Sequence, residues 1–174
     1  MLLQGRAMID GASDPVLVRR AKAGDASAFG VLAERNERAG LAVAHAVLGD
    51  ADLAADAVQD ALLKAWHALP SLQNPSAFRG WLLRTVRNAA HDVHRRRRPA
   101  VRLVREPATN GGVDHELADA LATLDEPTRL AVTMRYYEGA SSADIAAVLD
   151  CSPAAVDMRL SRGRQRLKEL LNDD

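Results

Sequence analysis

The chain has 174 residues, room for one domain or two small ones, and its 23 basic and 23 acidic side chains cancel. A single cysteine excludes an internal disulfide, and no apolar run approaches the length of a membrane span. Alanine and leucine are abundant, only 3% of residues are aromatic, and no stretch alternates convincingly with period two, so an all-α fold is expected. The N-terminus lacks a signal-peptide pattern, which leads to the expectation of a soluble, cytoplasmic protein. Residues 1–10 carry little pattern, and Met8 serves as well as Met1 for a start.

Asp14-Pro15 opens a short helix through Val16–Ala23, which Gly24 stops. Asp25 caps a longer helix carrying Phe29, Leu32, Leu41, Val43 and Val47 and ending at Gly49. A third helix is expected from Asp50 to Leu69, closed by Pro70. Ala54, Ala57, Val58, Ala61, Leu62, Ala65, Trp66 and Leu69 give it a broad apolar face. Asp52, Asp56 and Asp60 recur every four residues on the other side, an acidic stripe with no basic neighbour before Lys64. Such a stripe is either a solvated face or a dock for a basic helix.

Ser76 is expected to cap a fourth helix, Ala77–Arg98. Phe78, Leu82, Val86, Ala89 and Val93 would face inward. Arg84, Arg87, Asn88, His91, Arg95 and Arg98 share the opposite face, with Trp81 at its edge. Guanidinium groups, an amide and a flat aromatic suit phosphates and the unstacked bases of a single strand. Pro99 ends this helix, and residues 99–113, with two prolines, Asn110 and Gly111-Gly112, read as a flexible linker.

From residue 114 the pattern is helical again. Ser142 is expected to cap Ala143–Leu149, Asp150-Cys151 to form a turn, and Ser152-Pro153 to open a helix running to Leu171. Two helices about a short break, with Arg159, Arg162, Arg164 and Arg166 on the second, form a helix-turn-helix, a motif that places one helix in the major groove. Val156, Leu160, Leu167, Leu170 and Leu171 would face the core. Met158, Ser161, Arg162 and Gln165 point away, and Arg159 and Arg166 line one flank. Early residues of such a helix reach bases, and later basic ones meet phosphates. Yet 9 basic and 13 acidic residues leave residues 99–174 four charges negative, while 14 basic and 10 acidic residues leave residues 1–98 four positive. A chain of zero net charge should bind DNA weakly alone, so something else is expected to hold it there.

A metal-hydrolase reading of His91, Asp92, His94 and His115 fails on charge. Four arginines follow His94 and would repel a divalent cation, and His115 lies beyond the linker. No metal and no cofactor are expected.

Taken together, Leu17–Phe29, Leu48-Gly49-Asp50, Asp56–Trp66, Trp81–Asn88 with Asp92 and the following arginines, Arg135-Tyr136-Tyr137-Glu138-Gly139 and the terminal helix-turn-helix resemble the extracytoplasmic-function (ECF) sigma factors of bacterial RNA polymerase. The resemblance spans about residues 14–171. It implies a sigma-2-like four-helix domain in residues 1–98, the linker at 99–113, and a sigma-4-like helix-turn-helix domain in 114–174. The first would bind the β′ clamp of core polymerase through Asp52, Asp56, Gln59 and Asp60. It would open the −10 element with Trp81, Arg84, Arg87, Asn88, His91 and Arg95. The second would hold the β flap and read the −35 element with Ser152, Asp157, Met158, Arg159, Ser161, Arg162 and Arg166. Catalysis would belong to the polymerase, so the chain would not be an enzyme, and an anti-sigma factor is an implied partner. Two departures stand out: Leu53-Ala54-Ala55-Asp56 replaces the family's frequent Asp-x-Glu-Asp, and Asp157 stands where a basic residue is frequent. The alternatives are a free-standing helix-turn-helix regulator and a sigma-like decoy for an anti-sigma factor.

Overall fold

The computed structural model describes residues 11–97 and 115–171, and no strand occurs among them. The expected linker and residues 1–10 lie outside the described residues. Among the described residues, four helices precede residue 98: α1 (Asp14–Lys22), α2 (Ala26–Leu48), α3 (Ala51–Ala68) and α4 (Phe78–Arg97), with short 3-10 turns at Leu69–Ser71 and Pro75–Ala77. Four follow residue 114: α5 (His115–Ala122), α6 (Glu126–Glu138), α7 (Ser142–Leu149) and α8 (Pro153–Leu171).

Local chemistry sets most of these ends. The Asp25 side chain accepts from the Ala28 N–H at 3.1 Å and opens α2. Gly49, at φ 68°, closes it by donating its N–H to the His45 carbonyl. Asp50 and Asp125 cap α3 and α6 in the same way. Two caps differ from expectation. Asn74, not Ser76, is the capping side chain ahead of α4; it accepts from the Ser76 N–H at 3.0 Å and opens a 3-10 turn, so α4 begins at Phe78. Ser141, not Ser142, caps α7. Its hydroxyl accepts from the Asp144 N–H while the Asp144 carboxylate accepts from the Ser141 N–H, a reciprocal capping box. Two adjacent serines offer the same chemistry, and the acid three residues on selects the first.

The N-terminal helices close over two apolar clusters. In one, Leu17, Val18, Leu32, Leu69, Leu72, Phe78 and Leu82 are buried. Phe29 packs edge-on against both Trp66 and Phe78, with ring centroids 5.1 and 6.5 Å apart. The other cluster does not stop at the end of α4. It runs from Val43, Ala57, Leu83, Val86 and Ala90 into Leu130, Met134, Ile145, Val148 and Val156 of the C-terminal helices. The two halves therefore pack on each other: α6 lies against α2 and α7 against α4. Gly80 makes the second approach possible, since a Cβ there would lie 3.1 Å from the Cβ of Ala147. Arg129 ties the halves at the first, donating from Nε to the Ala46 carbonyl at 2.7 Å and from NH1 to the Leu124 carbonyl at 2.8 Å.

Candidate polymerase and nucleic-acid interfaces

The period of α3 puts Ala54, Ala57, Val58, Ala61 and Ala65 in the core, so Asp52, Asp56, Gln59 and Asp60 are forced outward, and all four are exposed. None of the three acids has a basic partner within the described residues. Lys64, the expected neutraliser, reaches instead to Asp92 of α4 at 3.5 Å. No described cation therefore pairs with the stripe. Leu63 extends it: this side chain is 63% exposed, one helical turn beyond Gln59 and Asp60. Sequence reading missed it, although its place outside the apolar arc was available.

On α4, burial of Phe78, Leu82, Val86 and Ala89 turns the basic face out as expected. Much of that face is not free. The Glu126 carboxylate, at the start of α6, pairs with Arg87 at 3.2 Å and with His91 at 3.1 Å. Asp150, in the turn of the helix-turn-helix, stands 3.8 Å from Arg84. Trp81 is half-buried, tilted against Phe78 at 5.9 Å, and lines a cleft with Arg84, Ala147 and Cys151. Asn88 and Arg95 remain exposed, and Arg95 pairs with Asp92 one turn back. The expected residues are thus on one face, but the C-terminal helices cover its centre. His91 and His94 meet no metal-ligating group of three or more among the described residues.

The helix-turn-helix is formed by α7 and α8. Asp150 takes the left-handed conformation (φ 53°) that ends α7, and the Ser152 hydroxyl accepts from the Ala155 N–H to start α8. Val156 and Leu160 anchor α8. This leaves Met158 56% exposed, with Ser161, Arg162 and Arg166 also outward. Arg159 is half-buried and donates to the Cys151 Sγ at 3.4 Å. Arg159, Arg162 and Arg166 edge a groove with Thr123, Asp125, Thr128 and Gly163, a basic lip suited to a phosphate backbone. Asp157 is exposed but engaged: the Ser142 hydroxyl donates to it at 2.6 Å and accepts from Arg135. This chain from α6 through α7 to α8 was not foreseen.

Comparison with known proteins decides the family. Two family models match: sigma-70 region 2 over residues 32–100 and sigma-70 region 4 over residues 114–167. The chain belongs to the ECF group of sigma-70 factors. The RNA polymerase sigma-H factor of Pseudomonas aeruginosa is 32% identical over 94% of this chain and 96% of its own length. The ECF RNA polymerase sigma-E factor of Escherichia coli K12 is 32% identical over 89% and 92%. Among solved structures, CnrH in complex with the cytosolic domain of CnrY is similar at a TM-score of 0.75, with 35% identity over 92% of this chain and 98% of that one. The sigma factor RpoE of Bartonella quintana, in complex with the anti-sigma factor NepR, gives 0.65 and 32% identity over 79% and 92%. The protein is a sigma factor of transcription initiation, and no described helix is long and apolar enough to cross a membrane.

Proposed function

We propose that this sigma factor divides its work between three faces. Asp52, Asp56, Gln59 and Asp60, with Leu63, dock the polymerase clamp. Trp81, Arg84, Arg87, Asn88, His91 and Arg95 take the opened −10 strand. The start of α8, through Ser152, Asp157, Met158, Arg159 and Ser161, reads the −35 element while Arg162 and Arg166 hold its phosphates. The observation that carries this reading is the exposed acidic stripe of α3, which no cation of the described residues pairs. Its charge calls for a basic partner, and a chain of zero net charge needs that partner to reach DNA. Bond making belongs to the polymerase, and the chain acts in the cytoplasm. An anti-sigma factor is a further partner, a reading supported by the similar RpoE having been captured with one.

In vitro transcription tests the whole reading. Core polymerase with this chain on genomic DNA should start at a small set of sites sharing −10 and −35 sequences, and core polymerase alone should not. Tight operator binding by the isolated protein, without promoter-specific starts, would sink it.

A further inference from the structure

We propose that Asp157 makes this sigma factor select a cytosine in the −35 element, its carboxylate accepting from the N4 amino group in the major groove. This rests on the reading of α8 as the −35 helix and names the base that this one acid takes.

Asp157 is exposed, on the face of α8 that also carries Ala154, Met158, Ser161 and Arg162. It does not cap the helix. The Ser152 hydroxyl fills that role, and the Val156 N–H already bonds the Ser152 carbonyl, so the free donors of the helix start end before Asp157. The pull of the helix dipole also fades within that first turn. Nor does α8 neutralise the acid. The places three and four residues away hold Pro153, Ala154, Leu160 and Ser161, none of them a cation.

Among the described residues, one hydrogen bond reaches Asp157. The Ser142 hydroxyl of α7 donates to its Oδ1 at 2.6 Å. Chemistry fixes the direction of that bond. The Arg135 guanidinium can only donate, and it donates to the same hydroxyl oxygen, so the serine proton is left for Asp157. One carboxylate oxygen is thereby held, and Oδ2 stays open to solvent and to any partner in front of α8.

An acid on a surface that meets DNA is repelled by phosphate, a cost that a donor on the DNA offsets. The major groove offers two amino donors, N4 of cytosine and N6 of adenine. On adenine the N7 acceptor lies beside N6 and sets lone pair against lone pair. Cytosine shows its amino group beside a carbon-bound hydrogen, so a group that only accepts is satisfied there. The small neighbours Ala154 and Ser161 let this short side chain come close to a base edge. Either carboxylate oxygen accepts, so the choice of base belongs to Asp157, while Ser142 and Arg135 fix where the carboxylate stands.

A change at one atom of the DNA tests this. N4-methylcytosine still pairs with guanine, but its methyl replaces the hydrogen that faces the major groove. The probes are promoter fragments with the −35 sequence won by selection, bound by core polymerase carrying the full chain. At one −35 cytosine, methylation should weaken binding at least about tenfold, the loss of a hydrogen bond to a charged group. Asp157→Ala should bind the methylated and plain fragments within about twofold of each other, which separates the lost contact from the bulk of the methyl. Asp157→Asn reverses the sign. Its amide oxygen keeps the bond from Ser142, and its NH2 takes the place of Oδ2. Selection from randomised −35 sequences should then replace that cytosine by a base with an acceptor, thymine or guanine. No cytosine preference in the wild type, equal loss on methylation in wild type and Asp157→Ala, or an unchanged preference in Asp157→Asn overturns the proposal. Arg162→Ala separates it from the reading of α8. If Arg162→Ala weakens −35 binding while Asp157→Asn changes nothing, only the cytosine contact falls. If neither changes −35 binding, the −35 assignment of α8 falls with it.

Discussion

Gly163 lies where α8 crosses α6, and its substitution gives a quantitative test of how the −35 helix is seated. A Cβ at this position would lie 2.8 Å from the Val132 Cγ2 and 2.9 Å from the Thr128 Cγ2. Carbon contacts are comfortable at about 3.5–4.0 Å, so Gly163→Ala must push the helices apart by several tenths of an ångström. Neither obstacle can swing away. Both methyls belong to β-branched side chains, stiff at χ1 within a helix, and both residues are buried. Overpacking of this kind costs about 1–3 kcal/mol. Replacing a mid-helix glycine by alanine returns about 1 kcal/mol of helix propensity. The single variant should thus lose about 0–2 kcal/mol of stability. Val132→Ala removes the nearer methyl and opens space beside the new one. Because the Thr128 methyl stays in place, a double-mutant cycle should show a partial favourable coupling of about 0.5–1.5 kcal/mol, measured by urea unfolding of the four proteins. Binding to a −35 duplex should weaken in Gly163→Ala and recover in part in the double variant, because α8 carries the residues proposed to read it. A Gly163→Ala protein about 1 kcal/mol more stable than wild type, or a cycle additive within about 0.5 kcal/mol, would refute this account of the crossing.

Further outcomes are expected elsewhere in the chain. Asp56→Arg with Asp60→Arg should weaken binding to core polymerase, most at low salt, in a pull-down or fluorescence titration; unchanged affinity would remove the acidic stripe from the interface. Arg162→Ala or Arg166→Ala should lower −35 affinity evenly across sequences and reduce the salt slope by about 0.9 each, read from binding isotherms at several salt concentrations. Asp157→Arg should alter the preferred −35 bases, with about 1–3 kcal/mol of discrimination at a base pair, in a selection from randomised duplexes. Ser142→Ala should leave that preference intact; an identical winning sequence from wild type and Asp157→Arg would confine Asp157 to its hydrogen bond with Ser142. The Asp25 carboxyl is held below its ordinary value of 3.8 by the Ala28 N–H first and by Arg20 second. A depressed folded-state value adds stability above the unfolded pKa and loses it as pH falls through the folded one. Asp25→Asn should therefore lower the melting temperature at neutral pH, and the gap from wild type should close on acidification below 3.8.

Helix limits were largely legible because they rest on local chemistry. Asp25, Gly49 and the Ser152-Pro153 start of α8 act within one turn of themselves, and the structure uses each as the residues suggested. The wrong caps came from equal neighbours, Ser141 beside Ser142 and Asn74 near Ser76, where the deciding partner was a third residue. The acidic stripe was readable from period alone. The seam between the two halves was not. Its close contacts are made by Gly80 and Ala147, too small to give a hydrophobic period, and its charges pair residues such as Arg87 and Glu126 that lie 39 apart in sequence. A cation facing outward from one helix has the same pattern whether its anion is a nucleic acid or another part of the chain. Likewise, the exposed Asp157 had no local sign that Ser142 would reach it from 15 residues away.

The continuous cluster joining Val43 and Leu83 to Ile145 and Val156 has a consequence for dosage. Both surfaces of that contact travel on one polypeptide, so each meets the other at a fixed effective concentration, of millimolar order for a short tether. Making more copies of the protein leaves any balance between packed and parted halves unchanged. Only a ligand that binds parted halves better can shift it, and only by its difference in affinity for the two. The amount of such a ligand, rather than the amount of sigma factor, would then set how many molecules have their halves parted at any moment.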